Sequence, residues 1–474
     1  MPADADASAP MLRAYSEALD GPPAFHRYSI ISGERHCGWS CDASSPHYER
    51  DSRHCPSDCG GRAMSAAPEH FARACPGASS AAAPARIVDG TRRATCGDDA
   101  AALSAAGVRL LIGVMTGPAP SHAARRDAIR ASWMRWGGVG SSALVCFLLG
   151  GRGLRPDQQA ALSAETERHG DIMWLPEVAD EGVPTLKGYA WWTAAAARLD
   201  PRRGVGVAHV AKVDDDSFLH VANLQADLAA LSCASHLYYG HLAFTGYDPS
   251  TWQMCGWSWQ ARPSNFNRHR CAEKGAYAPF PFINGALELI SAEALRHVAG
   301  STEVRAFVER ARGAVEARKA AGWPMSLKGK DGKRGPRVWR QNEDIALGFW
   351  LSRAELAGKF NVTHVKINDR APNMACISTK GMYQRPRDDT VVVHFLKRPA
   401  GVRYVWGVLH DRVPHDVDNC TRYVWWNNCE GKDARSSYCR PRSSRGEAGS
   451  EGLRKRKIGR VKVPRRLVDG TAPG

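Results

Sequence analysis

Between residues 105 and 412 the chain alternates short apolar runs with segments whose apolar residues recur at helical spacing. Residues 109–115 (RLLIGVM) form an unbroken apolar run closed by Thr116, Gly117 and Pro118, which predicts a buried strand. A helix is predicted over 120–136, where Ala128, Ile129, Ser132, Trp133 and Trp136 repeat at helical spacing. Residues 143–149 (ALVCFLL) read as a second strand, ended by Gly150 and Gly151. The alternation continues with a helix over 156–169, a strand over 171–175 and a helix over 184–199 opened by Pro184. A strand over 207–213 and a helix over 221–231 follow. Later segments are less regular: strands over 282–290 and 391–395, helices over 291–320 and 343–351. Strands alternating with helices of this length predict an α/β fold, a mostly parallel central sheet covered by helices on both faces.

The flanks differ. Residues 1–104 are rich in Ala, Gly, Pro, Ser and Cys without sustained periodicity, and read as a stem-like, poorly ordered lead-in. Residues 105–412 form the α/β domain, 413–439 a Cys-containing extension and 440–474 a basic tail. No stretch reaches the roughly 18 uninterrupted apolar residues of a membrane span. The first twenty residues carry Asp4, Asp6 and Arg13 and no apolar run of signal-peptide length.

The 474 residues hold 64 Lys+Arg against 48 Asp+Glu, with 43% apolar and 24% charged residues. That composition excludes collagen-like, wholly disordered and polytopic membrane classes. The excess of +16 is concentrated: residues 440–466 contribute eleven Lys/Arg against two Glu. A nuclear signal or polyanion patch is one reading of that tail. Its Gly/Ser content and scarcity of apolar residues favour a solvated, disordered tail, so no nucleic-acid partner is expected.

Fourteen cysteines are many for a cytosolic protein. Cys37, Cys41, Cys55, Cys59, Cys75 and Cys96 precede the first strong strand, and Cys420, Cys429 and Cys439 follow the last. Disulfide staples at the two ends explain this clustering. A zinc site on Cys37, Cys41, Cys55 and Cys59 is the alternative, although no close CxxC pair is present. Two N-glycosylation sequons, beginning at Asn361 and Asn419, also agree with the secretory compartment.

Three features carry candidate chemistry. Asp214, Asp215 and Asp216 directly follow an apolar strand. Adjacent carboxylates repel one another unless compensated, and a divalent cation shared with substrate phosphates is a natural compensator. A solvated acidic turn capping the next helix is the bland alternative. Glu343 and Asp344 open a helix that is apolar afterwards, which a helix dipole with Asn342 as cap would also explain. His394 stands in an apolar strand, where a packed core histidine is the ordinary case, yet imidazole also suits Mn²⁺.

In order along the chain, these segments resemble the β-1,3-galactosyltransferase-like enzymes, glycosyltransferase family 31, which includes the Fringe proteins. Arg126, Ile129, Arg130 and Trp133 resemble the family's R-x-x-I-R-x-T-W, and Phe147 to Gly150 its F-x-x-G strand end. Glu165 followed by Asp171 and Ile172 is similar to its E…D-I segment, and Thr185, Lys187, Trp191 and Trp192 to its next helix. Lys212, Asp214, Asp215, Asp216 and Phe218 match K-x-D-D-D-x-F. Tyr277, Pro279, Phe280, Gly285 and Ser291 resemble Y-P-P-Y…G…S, and Glu343, Asp344, Ile345 and Gly348 the E-D-V-x-x-G motif. Two departures stand out: Ala286, Leu287, Glu288 and Leu289 follow Gly285 where the family has small and aromatic residues, and the usual Cys before the glycine is absent.

The resemblance implies a GT-A-type nucleotide-sugar transferase fold and an inverting hexosyltransferase using a UDP-sugar donor. Galactose or an N-acetylhexosamine would pass to a glycan hydroxyl on protein or lipid in a β-1,3 linkage. It implies Mn²⁺ or Mg²⁺ on Asp216, Asp214 and His394, with Asp214 and Asp215 on the donor side and Asp344 as the base. Arg126 and Arg130 are candidates for the donor phosphates, with an ordinary helix-surface role as the alternative. The Trp-rich stretch 252–267 and the basic insert 328–340 are candidates for the acceptor side, with packing as the alternative for the former. Family members are Golgi membrane proteins, so membrane association is expected although no anchor is visible in this sequence. A non-catalytic relative that binds a glycan or nucleotide is the rival reading.

Overall fold

The computed structural model describes residues 29–32, 71, 94–180, 183–202, 204–248, 253–258, 277–320, 343–372 and 386–413, all within the unit Met1–Cys439. The strands are β1 (Ser29–Ser32), β2 (Leu110–Met115), β3 (Ala143–Arg152), β4 (Ile172–Ala179), β5 (His209–Asp214) and β6 (Phe218–Leu219). They continue with β7 (Leu237–Asp248), β8 (Gln253–Ser258), β9 (Tyr277–Ser291), β10 (Thr363–Lys366) and β11 (Val392–Val393). The main sheet runs in the order β1-β10-β7-β9-β5-β2-β3-β4, with β8 added to β7. Along that path every pairing is parallel except those of β9, which runs antiparallel to both β5 and β7. The expected α/β class with a mostly parallel sheet is what the topology shows.

Nine helices flank the sheet among the described residues: α1 (Ala100–Ala105), α2 (Pro120–Arg130), α3 (Pro156–His169), α4 (Pro184–Ala196), α5 (Val221–Ala230), α6 (Ala292–Gly300), α7 (Thr302–Ala320), α8 (Glu343–Leu356) and α9 (Pro399–Leu409). Successive strand residues face opposite cores. Leu144, Cys146 and Leu148 of β3 join α1, α4, α6, α7 and α8 on one face. Val145, Phe147 and Leu149 join α2, α3, α5 and α9 on the other. A strand covered on both faces has no polar position to alternate with, which is why 143–149 reads as one apolar run.

The structure departs from the sequence expectation where side chains override periodicity. The helix expected over 120–136 stops at Arg130. The Ser132 hydroxyl turns back to the Ala128 carbonyl at 2.6 Å, and Trp133 opens a short 3-10 turn that buries its indole completely. β7 was not expected because Gly240 and Gly246 interrupt it and its pairing with β9 shifts register twice. Gly240 has φ +151°, and a Cβ there would lie 2.2 Å from the Leu287 carbonyl oxygen, so only glycine fits. Part of the Trp-rich stretch is strand, β8.

Cys96 bonds to Cys146, which ties the segment before α1 to the middle of β3. An end-placed cysteine is thus stapled to the core. The other N- and C-terminal cysteines, the zinc alternative, the basic insert and the basic tail lie outside the described residues. Among the described residues no helix is long and apolar enough to cross a membrane.

Candidate active site

Three parallel strands, β3, β2 and β5, end on the same side, the usual ligand side of an open α/β sheet. Asp214 is the last residue of β5, in register with Met115 of β2. The turn after it is tight: the Ser217 amide donates to the Asp214 carbonyl at 3.0 Å, and the Asp215 amide to the Met115 carbonyl at 3.1 Å. β6 then pairs antiparallel with β11, Phe218 opposite Val393. That pairing delivers the residue after Val393 to the aspartates. His394 Nε2 lies 3.4 Å from both Asp214 Oδ2 and Asp216 Oδ1. The Leu396 amide donates to the Asp216 carbonyl at 2.7 Å and fixes the loop further.

One ligand atom from each of Asp214, Asp216 and His394 lies within 4.8 Å of the others. Two hard carboxylate oxygens and an imidazole suit Mn²⁺. Burial opposes charging of the imidazole, but hydrogen bonds to Asp214 and Asp216 outweigh it and hold the His394 pKa at about 9. Burial likewise works against the Asp216 carboxylate, and His394 and Lys397 more than reverse it, so its pKa lies far below the usual range. The Lys397 ammonium contacts Asp216 Oδ2 and sits 4.5 Å over the Phe395 ring.

Asp344 lies in the first turn of α8, 8% exposed. Its Oδ1 accepts from the Ile345 amide at 2.7 Å and its Oδ2 from the Gly285 amide at 3.2 Å. Burial and the neighbouring Glu343 push its pKa up to about 7, and Lys212 only partly offsets them. Lys212, fully buried in β5, joins the two halves of the site. Its Nζ lies 3.0 Å from Asp214 Oδ1 and donates to Glu343 Oε1 at 2.6 Å and to the Gly285 carbonyl at 3.3 Å.

The remaining candidates fall elsewhere. Asp215 is turned away from the triad: it accepts from Thr116 Oγ1 at 2.8 Å and pairs with His122 Nδ1 and Arg125 at 2.5 Å each. Arg126 and Arg130 are not free on the helix surface but ion-paired. Arg126, 1% exposed, is bidentate to Glu165 at 2.7 and 2.6 Å. Arg130 is held by Asp171 at 2.8 Å and Glu165 at 2.7 Å. These are the acidic residues of the E…D-I motif, so two motifs far apart in sequence form one ion-pair network. It anchors α2 to α3 and to the start of β4. Beside the triad a cleft is lined by Thr116, His122, Asp180, Val183, Lys187 and Glu343. Lys187, of the T-L-K segment, donates to the Thr116 carbonyl at 2.5 Å and pairs with Asp180.

Sequence reasoning gave no role to Lys212, Glu288, Glu343 or Lys397. Lys212 was legible in principle, because i and i+2 in a strand share a face and so set it beside Asp214. Glu288 was not, since its partner comes from another strand.

The acidic cluster thus stands at the carboxyl end of a parallel strand, and the separate Asp344 carboxyl in the first turn of a helix. In the comparison with known proteins, residues 124–310 match the family model described as Galactosyltransferase. Mouse "Beta-1,3-galactosyltransferase 6" is 30% identical over 181 residues, 34% of this chain and 53% of the relative. The Arabidopsis thaliana "Hydroxyproline O-galactosyltransferase GALT2" is 29% identical over 151 residues, 31% of this chain and 21% of the relative. The match thus spans about half of the mouse relative's length and about a fifth of the plant one's. Among solved structures, mouse xyloside xylosyltransferase 1 in its apo form aligns with TM-score 0.30 and 11% identity over 60% of this chain and 96% of its own. At that score it adds nothing to the topology described above.

Proposed function

We propose that the chain is an inverting, metal-dependent hexosyltransferase. It would move galactose or an N-acetylhexosamine from a UDP-sugar to a hydroxyl of a glycan on protein or lipid, in a β-1,3 linkage. The observation that carries the reading is the pairing of a metal-suited triad, Asp214, Asp216 and His394, with a proton-accepting Asp344, both braced by Lys212.

A divalent cation held by Asp214, Asp216 and His394 would supply positive charge to the departing diphosphate. Asp344 takes the proton of the acceptor hydroxyl as that oxygen attacks the anomeric carbon from the face opposite the diphosphate, which inverts the centre. Its own proton affinity, near neutral pH, suits that task. The cleft lined by Thr116, His122, Asp180, Lys187 and Glu343 is the space we assign to the donor's nucleoside. Arg126 and Asp215 brace its wall through Thr116, and Asp215 also through His122; the catalytic domain corresponds to residues 105–412.

The compartment proposed is the Golgi, membrane-associated or luminal. The Cys96–Cys146 disulfide and the exposed sequon residue Asn361 support it.

The test is UDP release from a panel of UDP-sugars by chain made in a secretory host, with Mn²⁺ or with chelator. Metal-dependent turnover of one donor, abolished by Asp216→Ala and Asp344→Asn, is expected. Donor binding without turnover across a broad acceptor set would favour the binding-protein reading instead.

A further inference from the structure

Lys212 and Glu288 stand directly opposite each other in the antiparallel pairing of β5 with β9. Both side chains are fully buried, and Lys212 Nζ donates to Glu288 Oε1 at 3.0 Å. The other oxygen, Glu288 Oε2, is buried without a hydrogen-bond partner. A carboxyl buried with half its capacity unmet is costly in a sheet core, so packing does not account for it. β9 is otherwise apolar around it, with Leu287, Leu289 and Ile290 all buried. What Glu288 does is hold the ammonium.

That ammonium is the one group among the described residues that touches both ends of the site. It contacts Asp214 of the triad and, at 2.6 Å, Glu343 at the start of α8. Through Gly285 the link is closed: its carbonyl accepts from Lys212 while its amide donates to Asp344. A Cβ on Gly285 would lie 2.8 Å from Lys212 Nζ and 3.2 Å from Asp214 Oδ2, so the backbone is drawn as close to the charges as a glycine allows.

We infer that Lys212, clamped by Glu288, is a positioning residue that sets the distance between the cation-binding carboxylate Asp214 and the base Asp344. The inference rests on the function proposed above. Misplacing reacting groups by about 1 Å can cost on the order of 10²-fold in rate without weakening substrate binding equally. The titratable groups facing Asp344 are Glu343, Lys212, Asp214, Glu288 and Tyr238. Lys212 is the only cation among them, so its loss raises the proton affinity of Asp344.

The experiment uses the full chain with Lys212→Met, Lys212→Arg and Glu288→Gln. It measures kcat and KM for the donor across pH, the melting temperature, and Mn²⁺ affinity by electron paramagnetic resonance without donor. Lys212→Met is expected to lower kcat about 100-fold with donor KM within about threefold, and to move the rising limb of kcat about one pH unit higher. Lys212→Arg restores the limb. Glu288→Gln, which keeps the shape and fold, lowers kcat about tenfold. Variants within about threefold of wild type, or losses that track unfolded protein with the limb unmoved, overturn the inference. If the wild-type chain transfers no sugar, the proposed function fails, and Mn²⁺ affinity alone decides the inference. A change of about tenfold in Lys212→Met supports it, and unchanged affinity overturns it.

Discussion

A carboxyl group that must accept a proton near neutral pH works best when its own pKa lies close by. Asp344, lifted to about 7 by burial and Glu343, meets that condition. The reactive form is the deprotonated one, so kcat is expected to rise with pH through about 7 and then level. A pH–rate profile checks this, and Asp344→Asn should remove the limb with a loss of about 10²–10⁴-fold. Glu355 shows the same chemistry without function. Burial pushes its pKa up to about 7, while the Val362 amide at 3.1 Å partly opposes this. The folded state therefore holds this proton more tightly than the unfolded one, whose pKa is near 4.5. Stability from this group is present below pH 4.5 and falls as pH rises to about 7. Glu355→Gln should stabilise the protein at pH 8 by about 1 kcal/mol, reduced from the full shift because the residue is half-exposed. Denaturant melts at pH 5 and pH 8 test this, since the gain should shrink at the lower pH.

At the scale of elements, buried ion pairs hold the sheet's far half. Asp227 of α5 accepts from Arg370 at 2.7 and 3.2 Å and from the Tyr239 hydroxyl of β7 at 2.5 Å. Helix, strand and the turn Asn368–Arg370 thus meet at one carboxylate. Removing it leaves a buried guanidinium short of its counter-ion, so Asp227→Ala should cost about 3–5 kcal/mol, measured by denaturant melts. Elements of this kind were the least legible in the sequence. β2, β3 and β5 announced themselves as apolar runs because both their faces are covered. β7 did not, since its glycines and register shifts break the alternation, and β10 has only four residues. The site divided in the same way. The aspartates and Asp344 stood out because each sits in a local motif. His394 was recognisable only through family resemblance. The Arg126–Glu165 and Lys212–Glu288 partnerships are cross-element contacts that no local pattern encodes.

For the whole molecule, the Cys96–Cys146 bond closes a loop 50 residues in sequence separation across one edge of the domain. Loop-closure entropy for that length corresponds to about 4 kcal/mol. Cys96→Ser with Cys146→Ser should therefore lower the melting temperature clearly, and chain made in a reducing host should behave like the double variant. The ion-pair network of α2, α3 and β4 lies near this staple, so one edge of the sheet is held both covalently and by charge.

The small β6–β11 pairing also bears on the order in which the protein becomes competent. Lys397 and Asp216 are 181 residues apart in sequence. The aspartates, the helix of Asp344 and every strand of the main sheet are synthesised before the two residues of β11 that bring His394 home. A chain cut short at residue 390 would keep the described strands of the main sheet and Asp344, yet lack His394 and the core residues of α9. Completion of the Asp214, Asp216 and His394 cluster is thus a late event of synthesis, and premature termination removes its histidine together with part of one core.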